Sequence, residues 1–217
     1  MAVLRDEKNK EITDEKGILD LVHNYYASLY KQPTVTIEEK SDQARALTLI
    51  DSFVSGEDNA RLMEVPDAEE IRTTVHELPL DKSPGEDGLP VEVLRELWEE
   101  IGFHCLEFVQ EAWRKKRIGK SNTGAIIKLI PKNEKKDELK NWRPISLLNL
   151  AYKLVGRILA KRMKNIISRL VDEEQTGFVH GRSITDNIIS LGLCQDLAVA
   201  QREPVLFCKL DFVKASD

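Results

Sequence analysis

The fold is decided by residues 124–149. They read Gly124-Ala125-Ile126-Ile127-Lys128-Leu129-Ile130-Pro131-Lys132, a polar stretch from Asn133 to Asn141, and Trp142-Arg143-Pro144-Ile145-Ser146-Leu147-Leu148-Asn149. Each flank is a short run of β-prone apolar residues, and a proline stops the first. Two such runs joined by a charged loop predict a β-hairpin. Directly after it, Leu150 to Leu170 has helical periodicity. Leu154, Val155, Ile158, Leu159, Met163, Ile166, Ile167 and Leu170 form an apolar stripe, and Arg157, Lys161, Arg162, Lys164 and Arg169 occupy much of the remainder.

Upstream of the hairpin the pattern is helical. Asp14 can cap a helix running to about Tyr30. Residues 31–66 are polar and read as a loose connector with a short helix near 41–54. Asp67 starts another helix, with Glu70 placed to complete a capping box, and that helix ends near Pro79. Two Gly and two Pro in Leu80-Asp81-Lys82-Ser83-Pro84-Gly85-Glu86-Asp87-Gly88-Leu89-Pro90 make a loop of fixed turns, with Gly85 and Gly88 as turn-formers. A helix then runs from about Val91 to Trp113, interrupted at Gly102. Downstream, residues 172–182 form a loop, Ser183 caps a helix to about Ala200, and Pro204 to Asp211 is a final strand carrying Asp211 at its end.

The chain has 217 residues with a net charge of −5, and the mean hides an asymmetry. Residues 1–100 balance at −13, residues 114–169 at +14, and the remainder at −6. The cationic block is either a footprint for a polyanion such as nucleic acid, with counterion release as the driving term, or a solvated face whose Lys and Arg stems lie over the core. Three cysteines at wide spacing exclude a disulfide framework and a Cys-x-x-Cys metal knuckle, and fit a reducing compartment. The four histidines have no zinc-ligand spacing. The run Arg114-Lys115-Lys116-Arg117 reads as the charged end of a helix, where cations suit the dipole, rather than as a nuclear address. No apolar run is long enough to span a bilayer, and no secretory pattern opens the chain, so a nuclear or cytoplasmic location is expected.

An ordered set of motifs goes further. Lys82-Ser83-Pro84-Gly85-Glu86-Asp87-Gly88 is followed by Leu129-Ile130-Pro131-Lys132, then Trp142-Arg143-Pro144-Ile145-Ser146, then Tyr152-Lys153-Leu154. Next come Gln175-Thr176-Gly177-Phe178-Val179-His180-Gly181-Arg182, Asp186-Asn187 and Leu210-Asp211-Phe212-Val213-Lys214-Ala215-Ser216-Asp217. This order resembles the reverse transcriptase of LINE-type (non-LTR) retrotransposons over about residues 75–217. The resemblance implies an α+β chain holding part of a right-hand polymerase: helix-rich fingers with a β-hairpin, and an incomplete palm sheet. Residues 1–75 then correspond to a helical linker region and residues 76–217 to fingers and first palm strand.

The resemblance also implies roles. Asp211 matches the catalytic, metal-binding carboxylate of the first palm motif. Two Mg²⁺ ions ~3.5–4 Å apart would join a dNTP to a DNA primer on an RNA template. Lys132 and Arg143 match the residues of the hairpin that folds over the nucleotide triphosphate, where an Arg fork suits bidentate phosphate contact. Gln175, Gly177, Phe178 and Arg182 match a loop that lies near template and primer. The alternative is an ordinary turn with Phe178 plugged into the core. Arg157 and Arg162, from the cationic helix, complete the expected nucleic-acid-binding set.

Two departures bear on activity. The family's later palm motif contains an Asp-Asp pair, and none occurs in the 217 residues; the aromatic expected at position 216 is Ser216. The sequence therefore predicts an RNA-directed DNA polymerase fragment that is inactive alone. A non-catalytic nucleic-acid-binding module and a remnant without function are the competing readings. An unfinished sheet would expose an edge and predict aggregation.

Overall fold

Five of the described helices begin where a short polar side chain accepts an otherwise orphaned backbone N–H. In the computed structural model, which describes residues 3–6, 8–31, 34–50, 53–208 and 210, the order is β1 (Leu4–Arg5), β2 (Glu11–Ile12), α1 (Glu15–Leu29), α2 (Ile37–Leu47), α3 (Gly56–Met63) and α4 (Ala68–Glu77), then α5 (Val91–Glu96), α6 (Trp98–Lys115), β3 (Ala125–Pro131), β4 (Trp142–Leu148), α7 (Leu150–Leu170) and α8 (Ile184–Gln201). Asp14 caps α1 by accepting the Gly17 N–H, Asp67 caps α4 by accepting that of Glu70, and Ser183 caps α8. The chain divides into two compact units: Met1–Ile50 with Asp81–Pro90 and Lys120–Leu150, and Asp51–Leu80 with Val91–Gly119 and Ala151–Asp217. The expected boundary at residue 75 falls inside α4.

In the first unit β3 and β4 form the expected antiparallel hairpin, pairing Ile130 with Arg143, Lys128 with Ile145 and Leu129 with Pro144. The Lys132 N–H donates to the Asn141 carbonyl at 2.7 Å, which continues the ladder one pair further. Pro131 and Pro144 therefore occupy the alternate, non-hydrogen-bonded positions, where a missing N–H costs no ladder bond. At the loop end, Leu4, Leu139 and Trp142 form a buried cluster, with Ile18, Leu21, Val22, Tyr25 and Leu129 packed on it. The pairing of β1 with β2 brings Leu4 there, and the Arg5 N–H donates to the Asp137 carbonyl.

In the second unit α4, α5 and α6 pack on one another. Ile71, Val75, Val109, Leu154 and Ile158 are fully buried, each worth roughly 1.5–3 kcal/mol of transfer free energy. Arg95 closes the end of α4 by donating to the carbonyls of Val75, His76 and Leu78.

Three local expectations change. The break expected at Gly102 comes at Leu97, between α5 and α6. Gly102 lies within α6, where a Cβ would sit 2.8 Å from the Trp98 indole. The short helix expected near 41–54 is replaced by α2, which starts earlier on a Thr36–Glu39 capping box, and by α3, capped by Ser55. Residues 204–208 form no strand. A strand exists by pairing, and none of the described strands offers these residues a ladder.

Candidate nucleic-acid interface

The hairpin carries one cationic face. Side chains alternate across a strand, so Ile126, Lys128, Ile130, Arg143, Ile145 and Leu147 share a face in this register. Continued by one pair, the alternation adds Lys132. Lys128, Lys132 and Arg143 are exposed, and among the described residues no acidic side chain stands within ion-pair distance of them. The Lys-Ser-Pro-Gly loop anchors the other end of the same hairpin. Asp87 accepts the Leu150 N–H at 2.7 Å, and its own N–H donates to the Asn149 side chain. A Cβ at Gly85 would lie 2.4–2.5 Å from Asn149 and the Leu148 carbonyl carbon. Gly85 is thus a close-approach residue, whereas Gly88, at φ +64°, is the turn-former expected.

In the second unit much of the charge of α7 is taken up internally. Arg169 meets Asp58 at 2.9 Å, Arg162 meets Glu70 at 2.5 Å and Lys161 meets Glu77 at 2.7 Å. The acids come from α3 and α4, so acidic and cationic stretches of the chain neutralise one another. Arg162 is the most committed: its fork binds both Glu70 oxygens, Nη1 donates to the carbonyls of Arg61, Leu62 and Glu64, and its plane lies 4.8 Å from the Trp113 ring. Glu70, expected to complete a capping box, is spent on this pair. Arg182 is likewise committed, donating to the carbonyls of Ser168, Val171, Asp172 and Gln175 at the end of α7. The geometry gives both guanidinium groups structural partners within the chain.

Arg157 and Lys164, together with the Lys161–Glu77 pair, line an open cleft of about 960 Å³. Arg157, Lys161 and Lys164, spaced i, i+4 and i+7, form the α7 wall. Phe178, His180 and Glu77 line the same cleft. Phe178 is fully exposed, with φ at +62°, a conformation uncommon outside glycine. It is not a core plug; Thr176 and Val179 on either side are the buried residues. The Gln175 amide donates to the Gly177 carbonyl and braces the turn. The structure thus brings Arg157 and Phe178 into one site. The reading of single residues missed Lys161, Lys164, His180 and Glu77; only the i, i+4, i+7 cationic spacing signalled the first two.

The hydrogen bond from Lys161, reinforced by the charges of Lys161 and Arg157, holds the Glu77 carboxyl below the usual carboxylate range. The Ser55 hydroxyl and Arg169 do the same for Asp58. Asp211 and Ser216 lie outside the described residues, so the site expected around Asp211 has no geometry here. Among the described residues no group of three or more His, Cys, Asp or Glu side chains could hold a metal ion, and no helix is long and apolar enough to cross a membrane.

Residues 130–217 match the family model described as reverse transcriptase (RNA-dependent DNA polymerase). Over 215 residues, 97% of this chain, the sequence is 28% identical to the transposon TX1 uncharacterized 149 kDa protein of Xenopus laevis, covering 16% of that protein. Over 123 residues, 55% of the chain, it is 32% identical to a probable RNA-directed DNA polymerase from transposon BS of Drosophila melanogaster, covering 14% of it. The chain therefore spans about one sixth or less of the length of these relatives.

Proposed function

We propose that this chain, whose residues 130–217 match the family model described as reverse transcriptase, is the nucleic-acid-gripping part of a LINE-type RNA-directed DNA polymerase. The observation that carries the proposal is the α7 cleft, which Arg157, Lys161 and Lys164 line together with an exposed Phe178. Cations along a groove track phosphates, and an aromatic face stacks a base; together these suit a single strand. An RNA template or DNA primer strand is the ligand this chemistry accepts. On the hairpin, Lys128, Lys132 and Arg143 offer an exposed cationic face for the triphosphate of a dNTP.

Asp211 is the position at which Mg²⁺ would be held. Bound there, the metal would activate the primer hydroxyl and stabilise the leaving pyrophosphate. One carboxylate does not hold two ions, and the 217 residues contain no Asp-Asp pair. The contribution of this chain's own residues is positioning: phosphates on α7, a base on Phe178, a triphosphate on the hairpin. These residues alone are expected to bind a strand without extending a primer.

The test is fluorescence anisotropy of a labelled single-stranded RNA with the 217-residue chain across a salt series. With three phosphate contacts the log–log slope is about −2, at ~0.7 per contact. Arg157→Ala lowers its magnitude by about 0.7. Phe178→Ala weakens binding by about 1–3 kcal/mol without changing the slope. Salt-independent binding, or binding indifferent to both substitutions, would refute the assignment. Primer extension by this chain with Mg²⁺ would overturn its expected inactivity.

A further inference from the structure

Glu77 is out of place by local rules. It is the last residue of α4, where a carboxylate faces the negative end of the helix dipole. It is also the sole carboxylate among the described residues lining a cleft whose other charged side chains are Arg157, Lys161 and Lys164. It is held there by Lys161, 2.7 Å away, and both side chains are more than a third exposed. A carboxylate at the negative end of its helix breaks a local rule, and Lys161 is the partner that holds it in the cleft.

A strand entering the cleft must lay phosphates beside this fixed negative charge and share Lys161 with it. The cost is offset when the strand supplies a hydrogen-bond donor to the carboxylate. A deoxyribose backbone has none: its phosphates and ring oxygen only accept. A ribose carries a 2′-hydroxyl, which donates. Glu77 has two oxygens, and Lys161 engages one of them. We propose, resting on the cleft reading above, that Glu77 is a specificity-determining residue that accepts a ribose 2′-hydroxyl and makes the α7 cleft select an RNA strand over a DNA strand.

The experiment compares two probes that differ only at the 2′ position, a short oligouridylate and the matching oligodeoxyuridylate. Each is titrated into the 217-residue chain carrying Glu77, Glu77→Gln or Glu77→Leu. With Glu77, the ribo strand binds about tenfold tighter, the scale of one hydrogen bond to a charged group. Glu77→Leu, which removes charge and acceptor, tightens the deoxy strand and brings the ratio below about twofold. Glu77→Gln keeps an uncharged acceptor and leaves an intermediate ratio of about threefold. If Glu77→Leu fails to melt cooperatively, the Gln variant carries the comparison. The same ratio in all proteins, or an equal gain for both strands, overturns the role of Glu77 alone. If neither strand shows salt-dependent binding to the unmodified chain, the cleft reading falls, and this proposal with it.

Discussion

Replacing Arg162 by alanine separates structural from binding arginines on α7. The guanidinium is only 13% exposed as a side chain and Glu70 24%. The substitution removes two bonds to the carboxylate, the donor to three carbonyls of residues 61–64 and the plane over Trp113. Breaking a buried pair from one side costs about 3–5 kcal/mol, because the abandoned charge stays behind. Glu70 retains some solvent here, so about 3 kcal/mol is expected. With a urea slope of roughly 2 kcal/mol/M, the unfolding midpoint falls by about 1.5 M. Arg162→Lys keeps the charge but loses the fork and recovers about half of this. Tryptophan fluorescence is the assay, since Trp113 lies under the guanidinium. At salt concentrations where the variant stays folded, its RNA affinity is unchanged. A midpoint shift below about 0.3 M accompanied by weakened RNA binding would refute the structural assignment and restore Arg162 to the interface.

Two further outcomes follow from packing and charge. Gly85→Ala places a Cβ against the backbone of Leu148 and Asn149; it destabilises by on the order of 2 kcal/mol, measured as a lower thermal midpoint, whereas a neutral result would mean that the loop is not clasped to the hairpin. The lowered carboxyls of Asp58 and Glu77 contribute stability that is complete above the ordinary carboxylate range, near pH 4, and is lost as pH falls through their lower native values. Melting midpoints should therefore drop below that pH, and less so in Asp58→Asn and Glu77→Gln; equal acid sensitivity in all three proteins would contradict these pairings.

What could be read from the sequence was local. Asp14, Asp67 and Ser183 each cap within three residues, and the β3–β4 hairpin and α7 declare themselves by alternation and periodicity. The Leu97 break was hidden because Gly102 is the more obvious disruptor, and only the packed Trp98 ring explains why that glycine sits comfortably in a helix. The Thr36–Glu39 capping box lay inside a stretch too polar to suggest a helix, and none of the residues of α2 is buried. Part of the charge block is matched within the chain for a tertiary reason. Arg169 and Asp58, or Arg162 and Glu70, are about a hundred residues apart in sequence, so net charge by segment counts cations already matched by the fold. Conversely, Phe178 was undecidable by composition, since an aromatic between two glycines serves a core plug as readily as a platform; its exposure favours the platform.

The α7 cleft is the proposed seat of the strand. The most direct measurement is photocrosslinking of a 4-thiouridine-substituted RNA to the 217-residue chain, with the attachment point mapped by mass spectrometry. Attachment at or beside Phe178, lost in Phe178→Ala and at high salt, is the predicted result. Attachment confined to other parts of the chain, and unaffected by that substitution, would contradict it.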